Sequence, residues 1–241
     1  MLVLSLTVWL IYSGDRLLDC RDLDFGKPTA YQHRFAHRWR RPLSAAWTIV
    51  FMMTGSISLF FLDAGVLRFG LGMSATVALY FVAVHTSGPL RRSVPKELLV
   101  GGLFATGVVG PAAALDGGPD RLWVVLLLFG LFSLNCLLVS VVQAPVDRAQ
   151  STPSMMLSLP RLRTRLPWLG WIVTGTSATL MWTGQIDATV GTSIAVSAGA
   201  TTHLMYRTKD RSDESGVRIA YAADMTLIVV PLLFAHVALR S

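Results

Sequence analysis

The sequence predicts an all-α fold, a polytopic membrane helix bundle of about eight transmembrane helices that forms a single domain over residues 1–241. Three observations support this prediction. Hydrophobic residues make up 53% of the 241 residues and charged residues only 15%, whereas a soluble domain carries about 25% charge. The mean hydropathy of the chain is +0.55. The basic residues gather in alternate short loops, as they do in membrane proteins.

Eight apolar segments have lengths close to the roughly 17–25 residues with which a helix spans a bilayer. They comprise residues 1–18, 43–62, 65–86, 97–115, 122–144, 167–183, 188–206 and 219–239. The first segment is predicted to be a membrane span. It lacks the basic start of a signal peptide, and it ends in charged residues instead of a cleavage site.

The distribution of lysine and arginine predicts the orientation of the chain. Eighteen of the 21 basic residues fall on one side, in or beside four loops, namely 19–42, 87–96, 145–166 and 207–218. These loops are predicted to face the cytoplasm, and a bacterial inner membrane is the predicted location. The net charge of +7 follows from this asymmetry, so the predicted partner is the lipid bilayer and no nucleic-acid partner is expected.

Acidic residues cluster at the end of the first segment. There are four of them, Asp15, Asp19, Asp22 and Asp24. At about 100° per residue the first three share one helix face, and the fourth falls on the opposite face unless the helix has ended. A hard divalent cation, Mg²⁺ above all, would stabilise such a cluster and keep positions open for phosphate oxygens. The alternative is a solvated helix end whose acids are balanced by neighbouring arginines.

Polar residues also gather at the end of the fifth segment. Ser140, Gln143 and Asp147 fall within about 60° of one another on a helix, and Asn135 precedes them. Pro145 is expected to kink or end this helix and to free a backbone carbonyl. The residues either line a site or form a polar seam that holds helices together.

Further polar residues lie at the predicted cytoplasmic helix ends. Asp224 cannot face lipid without a large cost, so it is predicted to face the bundle interior near Tyr221. Lys96 begins the fourth segment, close to Arg91 and Arg92. These basic residues either follow from the orientation of the chain or hold a diphosphate group.

The histidines are interpreted as structural residues. His33 and His37 have the i, i+4 spacing of a helical metal site, but they sit among arginines, which favours a basic amphipathic loop helix. His85 lies at a predicted cytoplasmic helix end and is interpreted as a packing or interfacial residue.

Taken together, the two polar stretches resemble those of the UbiA superfamily of intramembrane prenyltransferases. That family has nine spanning helices and two Asp-rich motifs, which hold two Mg²⁺ ions that bind a prenyl diphosphate. The first motif, NDxxDxxxD, resembles the stretch in which Asp15 takes the Asn position and Asp19 the central Asp. Arg16 stands at the family's first Asp, and Asp22 and Asp24 flank the last.

The stretch from Asn135 to Gln150 resembles the second motif. Only Asp147 remains acidic there, and Gln143 stands where a second carboxylate is expected. The basic segment 27–41 is similar to the family's cytoplasmic loop over the active site. The resemblance implies eight spanning helices here, without a counterpart of the family's first helix in this sequence.

The resemblance implies a prenyltransferase that uses Mg²⁺ to transfer the prenyl group of an allylic prenyl diphosphate to a lipophilic acceptor, with the active site facing the cytoplasm. The implied catalytic residues are Asp15, Asp19, Asp147 and Lys96. The implied metal ligands are Asp15, Asp19, Asp22, Asp24 and Asp147. The implied substrate-binding residues are Arg16, Arg91, Arg92, Asn135, Gln143, Tyr221 and Asp224.

Two alternatives remain open from the sequence. A terpene cyclase of the same fold would begin with the same departure of diphosphate. A non-catalytic membrane protein that binds an isoprenoid, or stabilises a partner, is favoured by the depleted second motif. The aspartates on one face of the first segment oppose this last alternative, because a scaffold has no need of repelling charges.

Overall fold

The computed structural model describes residues 2–21, 23–85, 95–115, 120–208, 218–219 and 221–230. All regular secondary structure within these ranges is helical, which confirms the all-α fold class. The helices are α1 (Leu2–Asp19), α2 (Tyr31–Arg38), α3 (Arg40–Phe61), α4 (Ala64–His85), α5 (Lys96–Leu115), α6 (Asp120–Gln150), α7 (Met155–Ser158), α8 (Leu162–Trp182), α9 (Ala188–Arg207) and α10 (Tyr221–Val230).

Four of the described helices are long and apolar enough to cross a membrane. The apolar stretches are Arg40–Phe61, Ala64–His85, Lys96–Ala114 and Arg121–Gln150. Large apolar side chains on these helices point away from the protein, and Phe60 and Phe61 are each 81% exposed. Contiguous apolar exposure of this kind is rare on soluble monomers and suits contact with lipid.

The other four predicted spans differ in character. Helix α1 carries three charged residues, α8 and α9 are rich in serine, threonine and glycine, and α10 is a shorter apolar helix. The last predicted segment, 219–239, continues into residues 231–241, which lie outside the described residues. Transmembrane-length apolar helices are therefore confirmed, and the number of eight spans stays a prediction.

The chain divides into two compact units. The first comprises residues 1–94, 110–116 and 145–153. In it, the indole Nε1 of Trp47 on α3 donates a hydrogen bond to the Leu10 carbonyl of α1, at 2.9 Å. A Cβ atom on Gly14 would lie only 3.2 Å from the same Nε1. The missing side chain of Gly14 thus lets α3 approach α1 directly beside Asp15.

The second unit comprises residues 95–109, 117–144 and 154–241. Its apolar core includes Leu138 and Leu166, which are 0% and 1% exposed. Helices α8 and α9 form a closely packed pair, in which the Ser177 hydroxyl donates to the Gly191 carbonyl at 2.8 Å. Small residues, such as Gly170 on α8 and Gly191 on α9, allow this close approach.

Helix α6 runs further than the sequence indicates. It contains 31 residues and passes through Pro145 to end at Gln150. At 1.5 Å per residue it is roughly 46 Å long, against roughly 30 Å for the hydrocarbon core of a bilayer. Pro145 therefore does not end the helix, and Asp147 lies in its last two turns.

Candidate functional site

The end of α1 and the end of α4 bring two carboxylates and an imidazole together. His85 Nε2 lies 3.4 Å from Asp19 Oδ1 and 3.9 Å from Asp15 Oδ1. The ligand atoms of the three residues all lie within 4.8 Å of one another. Of the aspartate, glutamate, histidine and cysteine side chains in the described residues, these three lie close enough together to hold one metal ion. The helix spacing predicts the aspartate pair, and the structure adds His85.

The imidazole of His85 is oriented by its own helix. Its Nδ1 lies 3.1 Å from the Phe81 carbonyl oxygen, one turn earlier in α4. A carbonyl oxygen only accepts hydrogen bonds, so Nδ1 is the donor in this contact. The ring therefore turns its Nε2 edge towards the carboxylates of α1.

Arg16 stands between this group and α2. Its Nη1 lies 3.6 Å from Asp19 Oδ2 and 3.2 Å from His33 Nε2. Its guanidinium carbon lies 5.0 Å from the centre of the Tyr12 ring, within the range of a cation–π contact. One positive charge is thus fixed beside Asp19.

The turn after α1 is anchored by Cys20. Cys20 is 5% exposed, and its thiol donates to the His33 carbonyl at 3.2 Å. Burial raises the pKa of the Cys20 thiol, and the negative charge of Asp19 raises it further. The thiol therefore stays protonated and keeps its hydrogen bond to the α2 backbone at neutral pH.

The structure does not bring Asp24 into the group formed by Asp15, Asp19 and His85. Helix α1 ends at Asp19, and Asp24 lies in the following loop. There its Oδ1 accepts from the Gly26 amide at 2.9 Å, and its Oδ2 lies 3.9 Å from Lys27 Nζ. Asp22, the third acid predicted on the helix face, lies outside the described residues.

The last residue of α6 is attached to the loop that follows α1. Gln150 Oε1 accepts from the Asp24 amide at 3.1 Å. Its Nε2 donates to the carbonyls of Asp24 and Pro28, at 2.8 and 3.1 Å, and to the Thr29 hydroxyl at 3.1 Å. Gln150 and Asp24, which end the two polar stretches of the sequence, are therefore in contact. Asp147 is half-buried and does not belong to the group of Asp15, Asp19 and His85.

In the second unit, the structure pairs two of the predicted substrate-binding residues. Asn135 is buried, and its Nδ2 donates to Asp224 Oδ1 at 2.8 Å. Tyr221 lies one turn before Asp224 and is 49% exposed. Gln143 and Lys96 are half-buried. The predicted diphosphate ligands Arg91 and Arg92 lie outside the described residues.

Glu97 is a polar residue that sequence reasoning did not single out. It is 5% exposed, and its Oε1 accepts from the Ser140 hydroxyl at 3.0 Å and from the Met155 amide at 2.9 Å. The available signal was an acid at the start of an apolar segment, where ionisable residues are costly. These contacts make Glu97 the link between the starts of α5 and α7 and the middle of α6.

Comparison with known proteins adds no relative. The sequence matches no protein-family model, and neither a curated protein nor a solved structure is detectably similar to it. A function for this chain therefore rests on its own residues.

Proposed function

We propose that this protein is an eight-span, UbiA-like intramembrane prenyltransferase that transfers the prenyl group of an allylic prenyl diphosphate to a lipophilic acceptor with the help of Mg²⁺. The observation that carries this proposal is the pair Asp15 and Asp19, held one turn apart on a helix of a largely apolar chain. Ionisable residues in such helices are costly to keep and generally mark a site.

The two aspartates fit a divalent cation. Mg²⁺ is usually bound by one or two protein carboxylates together with substrate phosphates and water, and this pair supplies the carboxylates. When bound, such an ion supplies positive charge to a departing diphosphate. Arg16 adds one fixed positive charge beside Asp19, which offsets part of the repulsion between the carboxylates while no ion is present.

The chemistry suits a helical protein that is rich in apolar residues. In the proposed reaction the bond between the allylic carbon and the diphosphate oxygen breaks, and the leaving diphosphate keeps the electron pair. The acceptor then forms the new bond to the allylic carbon and loses a proton. An allylic cation reacts readily with water, so the apolar helices would protect it by excluding water.

The proposed orientation in a bacterial inner membrane, with the site facing the cytoplasm, can be tested by labelling. In a Cys20→Ala, Cys136→Ala background, Ala30→Cys is expected to react with a membrane-impermeant maleimide only in inside-out vesicles. The reason is the strong excess of basic residues around it. Gln185→Cys, between α8 and α9, is the matched control and is expected to react only from outside. Reaction of residue 30 from outside would refute the orientation.

The stretch from Asn135 to Gln150 has one acidic residue, Asp147, where the family motif has more. Gln143 lies one turn before Asp147 on α6, and a neutral amide contributes no charge to a cation that depends on ligand charge. Gln143→Glu is therefore expected to raise the affinity for Mg²⁺ and the rate of diphosphate release. Gln143→Asn, which stays neutral, serves as the control. Release plotted against Mg²⁺ concentration checks this, and brisk wild-type turnover at low Mg²⁺ with no gain in the Glu variant contradicts it.

A second candidate function is non-catalytic binding of an isoprenoid. It is favoured by one observation, that Asp147 is the only acidic residue in the stretch from Asn135 to Gln150. A binding protein would retain a prenyl diphosphate without releasing diphosphate, whatever the chain length offered. The same release assay therefore separates the two candidates.

A further inference from the structure

We propose that His85 is a metal ligand and that Asp15, Asp19 and His85 together form a site for a divalent transition metal such as Mn²⁺ or Co²⁺, in preference to Mg²⁺. The inference rests on the proposed function of the same two aspartates and revises only the metal, from Mg²⁺ to a transition metal. Its test measures metal binding directly, so its failure and the failure of the transferase proposal can be told apart.

The three ligand atoms lie within 4.8 Å of one another, and the two distances from His85 are close to those expected around one ion. Protein ligands lie about 2.0–2.2 Å from a divalent transition metal, so neighbouring ligand atoms are separated by roughly 2.9–3.5 Å at common coordination angles. His85 Nε2 is 3.4 Å from Asp19 Oδ1, within this range, and 3.9 Å from Asp15 Oδ1. The second distance lies just above this range.

The proton on the imidazole is placed as in known metal sites. Because Nδ1 of His85 donates to the Phe81 carbonyl at 3.1 Å, the neutral ring presents a lone pair at Nε2. Metal-binding histidines commonly donate their other ring nitrogen to a backbone carbonyl in this way. The Nε2 atom is inaccessible to solvent, and both of its carboxylate distances exceed the usual 2.7–3.2 Å of an N–H···O hydrogen bond.

The donor set decides which metal is favoured. Mg²⁺ takes oxygen ligands in near-ideal octahedral geometry, and a site with an imidazole nitrogen offers it no advantage. Imidazole together with carboxylates suits the first-row transition metals, whose affinities rise from Mn²⁺ to Co²⁺ in the usual order. The competing occupant is a proton, since an imidazolium at His85 together with Arg16 would also balance the two carboxylates.

Metal titration of the full-length protein in detergent tests the inference. Co²⁺ is added to the wild type and followed by its visible absorption, and Mn²⁺ is followed by electron paramagnetic resonance. His85→Gln is expected to weaken binding of both ions at least about tenfold, because even residues behind the ligands contribute that much. Binding of Mg²⁺, measured by competition, is expected to change little. His203→Gln, which alters an exposed histidine of α9, is the matched control.

A second measurement needs no variant and so does not depend on His85→Gln folding correctly. Electron spin echo spectra of Mn²⁺ bound to the wild type are expected to show coupling to one imidazole nitrogen. Absence of this coupling, or equal Co²⁺ affinity in the wild type and a folded His85→Gln variant, would overturn the inference. If the nitrogen coupling is seen but no prenyl diphosphate is bound or cleaved, the metal site stands and the transferase proposal falls.

Discussion

Replacing Asp19 with asparagine is expected to abolish the metal-dependent binding of a prenyl diphosphate. The substitution keeps the shape of the side chain and removes the charge of the carboxylate that contacts both His85 and Arg16, at 3.4 and 3.6 Å. The loss should far exceed the roughly 0.5 kcal/mol of an ordinary surface substitution. Equilibrium binding of a radiolabelled prenyl diphosphate, with Mg²⁺ or with a chelator, measures it.

Asp24→Asn is the matched control for this experiment. Asp24 carries the same side chain, but it lies in the exposed loop after α1 and is not part of the group of Asp15, Asp19 and His85. Its replacement is expected to leave the binding unchanged, whereas the motif resemblance taken alone would make it a ligand. Equal binding by the wild type and Asp19→Asn, or binding that ignores the chelator, would mean that the aspartates of α1 form only a solvated helix end.

A large loss of stability is expected from Gly101→Ala. A Cβ atom at Gly101 of α5 would lie 2.8 Å from the backbone nitrogen and 3.0 Å from the Cα of Ser133 on α6. Backbone atoms cannot rotate away as a flexible side chain can, so the two helices would have to separate. Overpacking of this kind costs typically 1–3 kcal/mol, which outweighs the gain of roughly 1 kcal/mol in helix propensity. Thermal unfolding in detergent is expected to show a lower Tm.

The control for the stability experiment is Gly72→Ala on α4. No heavy atom lies within 4 Å of a Cβ built at this glycine. Because alanine is the better helix former, this variant is expected to unfold at the same temperature as the wild type or above it. If the two variants proved equally stable, the close approach of α5 to α6 at Ser133 would be refuted.

The helices themselves are well predicted by the sequence. The apolar segments 43–62, 65–86 and 97–115 agree within a few residues with α3, α4 and α5, because the length of an apolar run and its polar ends are local properties. The position at which α6 ends could not be predicted from such local properties, since the helix continues through Pro145 to Gln150. A proline removes one backbone donor, and neighbouring groups decide whether the helix continues.

Only part of the candidate site could be predicted. The pairing of Asp15 with Asp19 follows from the helix repeat alone. The position of His85 beside them does not, because α4 lies far along the chain and its approach depends on tertiary packing. The contacts of Glu97 with Ser140 and Met155 escaped prediction for the same reason.

The attachment of Gln150 has a consequence for how the sequence can vary between related chains. Its amide oxygen accepts one hydrogen bond and its two N–H groups are shared among three acceptors, and most of these partners are backbone atoms of the loop. Only a carboxamide can both accept and donate in this pattern, and asparagine is one methylene shorter. Substitution should therefore be narrowly restricted at position 150 and limited at Thr29, whose hydroxyl is one of the acceptors, while Asp24 and Pro28, held through their backbone, are less restricted.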